Sequence, residues 1–174
     1  MTRTLIFLFI VFGLAQKTEA QETVNWMSLE EAEQNLAHEQ KKVFVYMYTD
    51  WCGWCRRMER ETFSDPTIIS YLNKHYYAVK FDAERSDTLF FKGRNFVNQN
   101  PGKQRSYHEL AQALQRGRMS FPSIVFLNEM MNGINVVPGF QTPAKFEPVL
   151  HYYATDAYKT IDWEHYNRTF DGSL

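Results

Sequence analysis

The alternation of apolar and polar positions resolves most of the chain into regular elements. Beyond Ser28, apolar residues at Leu29, Ala32, Leu36 and Ala37 share one helical face, and Ser28 with Glu31 forms a capping box that opens the helix. After Lys41-Lys42 comes Val43-Phe44-Val45-Tyr46-Met47-Tyr48, an unbroken run of β-branched and aromatic residues that predicts a strand buried on both faces. From Gly53 to about Asn73 the spacing of Met58, Phe63, Ile68, Ile69 and Leu72 is helical, with a kink or restart predicted at Ser64-Asp65-Pro66. Tyr76 to Asp82 then reads as a second strand. Reached through a helix, it should lie parallel to the first.

The pattern weakens after residue 83. Asp87 to Val97 has two apolar arms around Lys92-Gly93 and predicts a hairpin, and Asn98 to Arg105 is rich in turn residues. Ser106 to Gly117 predicts a helix, with Ser106 and Glu109 as capping box and Gly117 as its stop. Ser123 to Leu127 and Ile134 to Val137 are strands joined around Asn132-Gly133. A last helix should start near Pro143 and reach about Tyr158, and the aromatic tail beyond it should pack onto the body.

The opening segment stands apart. Arg3 precedes the apolar stretch Leu5 to Leu14, with small residues at Ala15 and Ala20, which reads as a signal peptide cleaved after Ala20 or Ala15. That stretch is short for a membrane span, and nothing later approaches one, so no stable membrane insertion is expected once the leader is removed. A mature chain starting at residue 21 keeps 17 basic and 19 acidic residues. Such a balance offers no general field for nucleic acid. Residues 21–174 form one domain, and 174 residues leave little room for a second.

Export changes how the two cysteines are read, because oxidising compartments favour structural disulfides. Cys52 and Cys55, two residues apart, would close too small a loop to serve as an effective staple, so a reactive pair explains them better. Haem attachment would want histidine at position 56, which is Arg56. Zinc wants four ligands, whereas His38, His75, His108, His151 and His165 are scattered, mostly as surface residues; no metal or other cofactor is expected. With Cys52 at a helix start, unpaired backbone N–H groups favour its thiolate, while Cys55 returns to nearly the same face one turn deeper. These positions suit an exposed nucleophile and a resolving thiol.

The order strand, helix, strand, helix, hairpin, helix, with Tyr48-Thr49-Asp50-Trp51-Cys52-Gly53-Trp54-Cys55-Arg56 at the first strand-to-helix junction and Phe121-Pro122 further on, resembles the thioredoxin superfamily. The resemblance covers roughly residues 28 to 156 and is greatest to exported single-domain members. It implies an α/β thioredoxin fold: a central mixed sheet flanked by helices, here with an N-terminal helix and an insertion at about residues 84–105. It also implies that Pro122 is a cis-proline facing the cysteines and that the Phe121 backbone pairs with an extended substrate. Trp51, Gly53 and Trp54 would border the same groove. Residues 84 to 118 should overhang that edge of the sheet; between Phe91 and Met119 they carry Lys92, Arg94, Lys103, Arg105, Arg116 and Arg118 against Glu109 alone, as a solvated loop or a docking surface for an acidic partner.

Two departures from the reducing thioredoxins leave the direction of electron flow open. Trp54 stands where they have proline, and their buried aspartate falls at Tyr46, although Lys80 matches their lysine on the second strand. Proton transfer to Cys55 would then use water or a nearby carboxylate such as Glu59. The implied activity is thiol–disulfide exchange on thiols or disulfides of exported proteins, secreted or periplasmic. A reductase or isomerase recharged by an upstream redox partner leads, with a net oxidant and a non-enzymatic binding module as alternatives. Asn167-Arg168-Thr169 matches a glycosylation acceptor, a three-residue pattern that chance supplies and that carries no weight here.

Overall fold

The computed structural model describes residues 22–172, so the leader and its cleavage sites lie outside the described residues. Five strands form the central sheet: β1 (Trp26–Met27), β2 (Lys42–Tyr48), β3 (Tyr76–Asp82), and, further along, Ser123–Leu127 and Gly133–Pro138. Between β3 and Ser123 a separate hairpin, β4 (Leu89–Phe91) and β5 (Arg94–Phe96), makes the latter two β6 and β7. The order across the sheet is β1-β3-β2-β6-β7, with β1, β3 and β2 parallel and β6 and β7 antiparallel to their neighbours. This is the expected mixed sheet flanked by helices.

The alternation within β2 decides how the layers form. Val43 through Met47 are all fully buried, yet Phe44 and Tyr46 face one layer while Val43, Val45 and Met47 face the other. The first layer holds α2 (Gly53–Glu61), α3 (Pro66–His75) and, later in the chain, the helix Pro143–Ala154. On the opposite side lie α1 (Leu29–Leu36), the β4–β5 hairpin and the short helix α4 (Glu109–Leu114). Pro143–Ala154 is therefore α5, and Trp163–Thr169 follows as α6.

Local chemistry explains most boundaries. Ser28 and Glu31 make both hydrogen bonds of the capping box of α1. Asp65 caps α3 by accepting from Thr67 and Ile68 N–H, with Pro66 as the first helical residue, so the expected restart is a clean break into two helices. Lys92 and Gly93 both have positive φ, 49° and 81°, which matches the twist of a two-residue hairpin and is easy only for the glycine.

Three expectations need correction. Helix α4 does not begin at Ser106: its hydroxyl bonds Asn98, the Glu109 carboxylate accepts from Val97 N–H, and His108 is the cap. The last long helix stops at Ala154 instead of Tyr158; Asp156 at φ 62° turns the chain into one 3-10 turn before α6, which was not foreseen. Its Trp163, Tyr166 and Phe170 rings lie against Tyr152 and His151, so the tail does pack on the body. Third, the histidines are not mostly at the surface. His38 and His165 are exposed, His75 and His151 are half-buried, and His108 is wholly buried.

His108 Nδ1 accepts from Leu110 N–H at 3.2 Å, which leaves Nε2–H to donate to the Asp87 carbonyl at 3.1 Å. The ring is thus held neutral, and burial pushes its pKa down, opposed in part by the Asp87 bond. His75 and His151 shift the same way, also chiefly through burial. A histidine whose folded pKa is depressed contributes stability above its unfolded value, about 6.5, that drains away as pH falls below it. Urea midpoints should therefore drop between about pH 7 and pH 5. His108→Asn, which keeps a capping side chain but cannot titrate, should flatten that slope without abolishing it; an unchanged slope would refute the assignment.

Candidate functional site

Cys52 is the N-cap of α2, placed there by the turn Thr49–Trp51 that follows the end of β2. Its backbone N–H donates to the Thr49 carbonyl at 3.1 Å, and its Sγ accepts from Cys55 N–H at 3.0 Å. The two sulfurs are joined in a disulfide with the Cα atoms 5.2 Å apart. No acidic residue occupies the first turn of α2, so the free N–H groups there meet the Cys52 sulfur without a competing carboxylate.

Exposure departs from expectation. Cys52 retains 4% of its surface and Cys55 1%, so the outer sulfur is the more accessible of the two but is largely covered in the oxidised pair. Both cysteines belong to the apolar cluster of the α2–α5 layer, against which Phe121 and Phe140 pack. Gly53 is exposed, and a methyl group there would meet only Arg56 Nη2, at 3.8 Å. The fold does not require a glycine at that position; its bareness leaves room beside Cys52.

Aromatic walls flank the disulfide. On one side Trp51, 39% exposed, meets Phe121 edge-on at 6.0 Å, and Phe121 in turn meets Tyr107 at 5.3 Å. Glu84 ties this wall together: its carboxylate accepts from Trp51 Nε1 at 2.9 Å and from Arg105 N–H, and the Arg105 guanidinium lies 5.6 Å from the centre of the Trp51 ring. On the other side Trp54, 56% exposed, lies 5.7 Å from Phe140, with the Arg57 guanidinium over both rings. The Phe121–Pro122 peptide bond is cis and immediately precedes β6, whose Ser123 pairs with Met47 of β2, which puts it at the sheet edge that carries Cys52.

Arg56 and Arg57 are exposed and engaged with the protein itself, Arg56 with the Asp50 carbonyl and Arg57 with Glu61. Behind the sulfurs lies a polar chain. Tyr46 Oη is 3.1 Å from the Cys55 carbonyl oxygen and 3.3 Å from Glu59 Oε1, and Lys80 Nζ reaches the same Glu59 oxygen at 3.1 Å. Burial, reinforced by the Glu59 charge, raises the Tyr46 pKa far above the usual phenol range, so Tyr46 stays a neutral donor. Glu59 follows Cys55 by one helical turn on α2, which is why the three meet.

Of the residues expected at the site, Trp51, Gly53 and Trp54 adjoin the cysteines in the chain, Phe121 packs against their cluster with the cis bond to Pro122 at the same end of the sheet, and Glu59 and Lys80 reach Cys55 only through Tyr46. The sequence did not point to Glu84, Tyr107 or Phe140, which arrive from loops through tertiary contact and carry no local signature. Conversely, the expected overhang is only partly there. Arg105 adjoins Trp51, whereas Lys92 bonds Asn132 in the β6–β7 turn, at the opposite end of the sheet.

A mixed, helix-flanked sheet with a cysteine pair at the start of the helix that follows β2 defines an α/β dithiol–disulfide protein. The thioredoxin-like domain family matches residues 29–154, and the chain belongs to it. Family and cysteine pair together support a thiol–disulfide oxidoreductase in general terms.

Among relatives, a thiol:disulfide interchange protein DsbD from Photorhabdus laumondii is 29% identical over 130 residues, 74% of this chain and 19% of that protein. Its counterpart from Haemophilus ducreyi is 38% identical over 85 residues, 38% of this chain and 15% of that one. The chain therefore spans less than a fifth of either relative. In three dimensions it is similar to a thioredoxin from Thermus thermophilus, with a TM-score of 0.57 at 20% identity, covering 82% of this chain and 96% of that one, a likeness of fold.

Proposed function

We propose that this chain exchanges disulfides with exported proteins, as a reductase or isomerase recharged by an upstream dithiol donor. The observation that carries the reading is Cys52 Sγ at the cap of α2, accepting the Cys55 N–H, with Cys55 in bonding reach. In the reduced protein, the Cys52 thiolate attacks a substrate disulfide. One bond forms between Cys52 and a substrate sulfur, and the other substrate sulfur leaves as a thiolate that water protonates. Cys55, once deprotonated, attacks Cys52; the internal disulfide forms and the second substrate thiol departs. Two electrons have passed to substrate, and the donor dithiol returns them. Trp51, Gly53, Trp54, Phe121 and Pro122 border the groove where the substrate strand lies. Export rests on the leader at residues 1–20; among the described residues no helix is long and apolar enough to cross a membrane.

A net oxidant is the second reading, and the same N-cap favours it. Whatever stabilises the Cys52 thiolate stabilises the reduced pair and makes the disulfide a stronger oxidant. Equilibration with glutathione buffers separates the two, since about 30 mV corresponds to about 1.4 kcal/mol for this couple. A glutathione-resistant pair with no insulin reduction would instead leave a binding module.

Glu59, bridged to Tyr46 and Lys80, is the base that receives the Cys55 proton in this scheme. Glu59→Gln should slow release of the mixed disulfide by about a hundredfold while leaving its formation nearly unchanged. Stopped-flow measurement of the two phases checks this, and equal release rates would eliminate Glu59.

A further inference from the structure

Strand β7 closes one side of the sheet, and among the described residues no strand lies beyond it. Gly139 N–H turns inward to the Pro122 carbonyl at 2.8 Å, so the alternation of an antiparallel ladder points the N–H and C=O of Val136 outward. The Pro138 carbonyl shares that outward side, and Ile134, skipped at an irregularity in the β6–β7 register, offers its carbonyl to Arg116. Each carbonyl receives a single long bond of 3.4 Å, from Gln141 Nε2 and Arg116 Nη2 respectively, which an incoming backbone N–H can replace.

A groove runs along each face of this edge, and both grooves include Asn135, Val136 and Pro138. One continues over Val149, Tyr153 and Trp163 with Lys145 at its margin. The other is bordered by Arg116 and Arg118. Among the described residues no carboxylate lines either groove, although the whole protein carries a slight excess of acids. An added strand sends successive side chains alternately into the two grooves, where cations wait on both sides.

We propose that the outer edge of β7 docks an acidic, extended segment of a protein partner, which pairs with the backbone of Val136 as a sixth strand. The charge pattern selects this occupant over a second copy, because β7-to-β7 pairing would set Arg116, Arg118 and Lys145 of one molecule against the same cations of the other. Pairing at Val136 uses neither cysteine, so the proposal holds or fails independently of the exchange reaction.

The test uses a fluorescein-labelled peptide of a dozen residues alternating Glu with Val or Thr, and a twin with Lys in place of Glu, titrated against the full chain by anisotropy. The acidic peptide should bind and the basic twin should not. Binding should weaken with salt and fall at least about tenfold in Arg116→Glu/Arg118→Glu, both exposed positions. In the unaltered protein, amide hydrogen exchange at Val136 should slow on binding. Absence of binding, equal binding of the basic twin, indifference to the charge reversal or unchanged exchange at Val136 would each overturn the proposal. So would a concentration-dependent dimer that protects Val136 without peptide.

Discussion

Cys52→Ser is expected to lower disulfide-exchange turnover by at least about a thousandfold, and Cys55→Ala to halt the reaction halfway with substrate bound through sulfur. The asymmetry follows from the placement of the two residues. Only Cys52 receives both the cap position and the Cys55 N–H, and Cys55 lies deeper. Insulin reduction measures the first loss. Non-reducing electrophoresis of Cys55→Ala, mixed with oxidised substrate, should reveal a band that dithiothreitol removes. If Cys52→Ala traps substrate instead, the roles are reversed; if neither variant traps anything while turnover persists, the pair is not the redox centre.

The second large effect falls on stability. Phe44 sits in the middle of β2 and meets five aromatic rings, those of Trp26, Phe63, Tyr76, Phe126 and Phe146, at centroid distances between 5.8 and 6.2 Å. They come from β1, the α2–α3 link, β3, β6 and α5, so one ring joins the sheet to its helices. Phe44→Ala should cost about 3–5 kcal/mol, since rings held by five separate elements cannot all collapse into the hole. Phe44→Leu should cost about 1–1.5 kcal/mol. Urea denaturation at pH 7 distinguishes them, and a loss below about 1.5 kcal/mol for alanine would show that the cluster repacks.

What the sequence disclosed depended on how local the cause was. The strands around Val43–Tyr48 and Tyr76–Asp82 announce themselves because burial on both faces demands a mainly apolar run, unbroken in the first and interrupted in the second only at Lys80 and Asp82. The cysteine pair and Phe121-Pro122 are equally visible, each being a few adjacent residues. Strand β1 is not, since two residues show no alternation and Trp26–Met27 is a strand only because β3 lies beside it. Helix α4 shows a local signal losing to tertiary bonds: Ser106 and Glu109 have the right spacing for a cap, yet Asn98 and Val97 take their side chains. Glu84 is the clearest omission. It anchors Trp51, 33 residues away, and Arg105, 21 residues away, and no spacing rule links the three.

The sheet also acts as a bulkhead. Every buried residue that shares the cysteines' apolar cluster lies on one side of it, while Leu29, Ala32, Val45, Val79 and the β4–β5 hairpin fill a separate compartment behind. Substitutions in distant, unconnected sites act nearly independently. The rear compartment can therefore be repacked for thermal resistance while the electrochemistry in front keeps its setting, which gives an engineer two dials on one small protein.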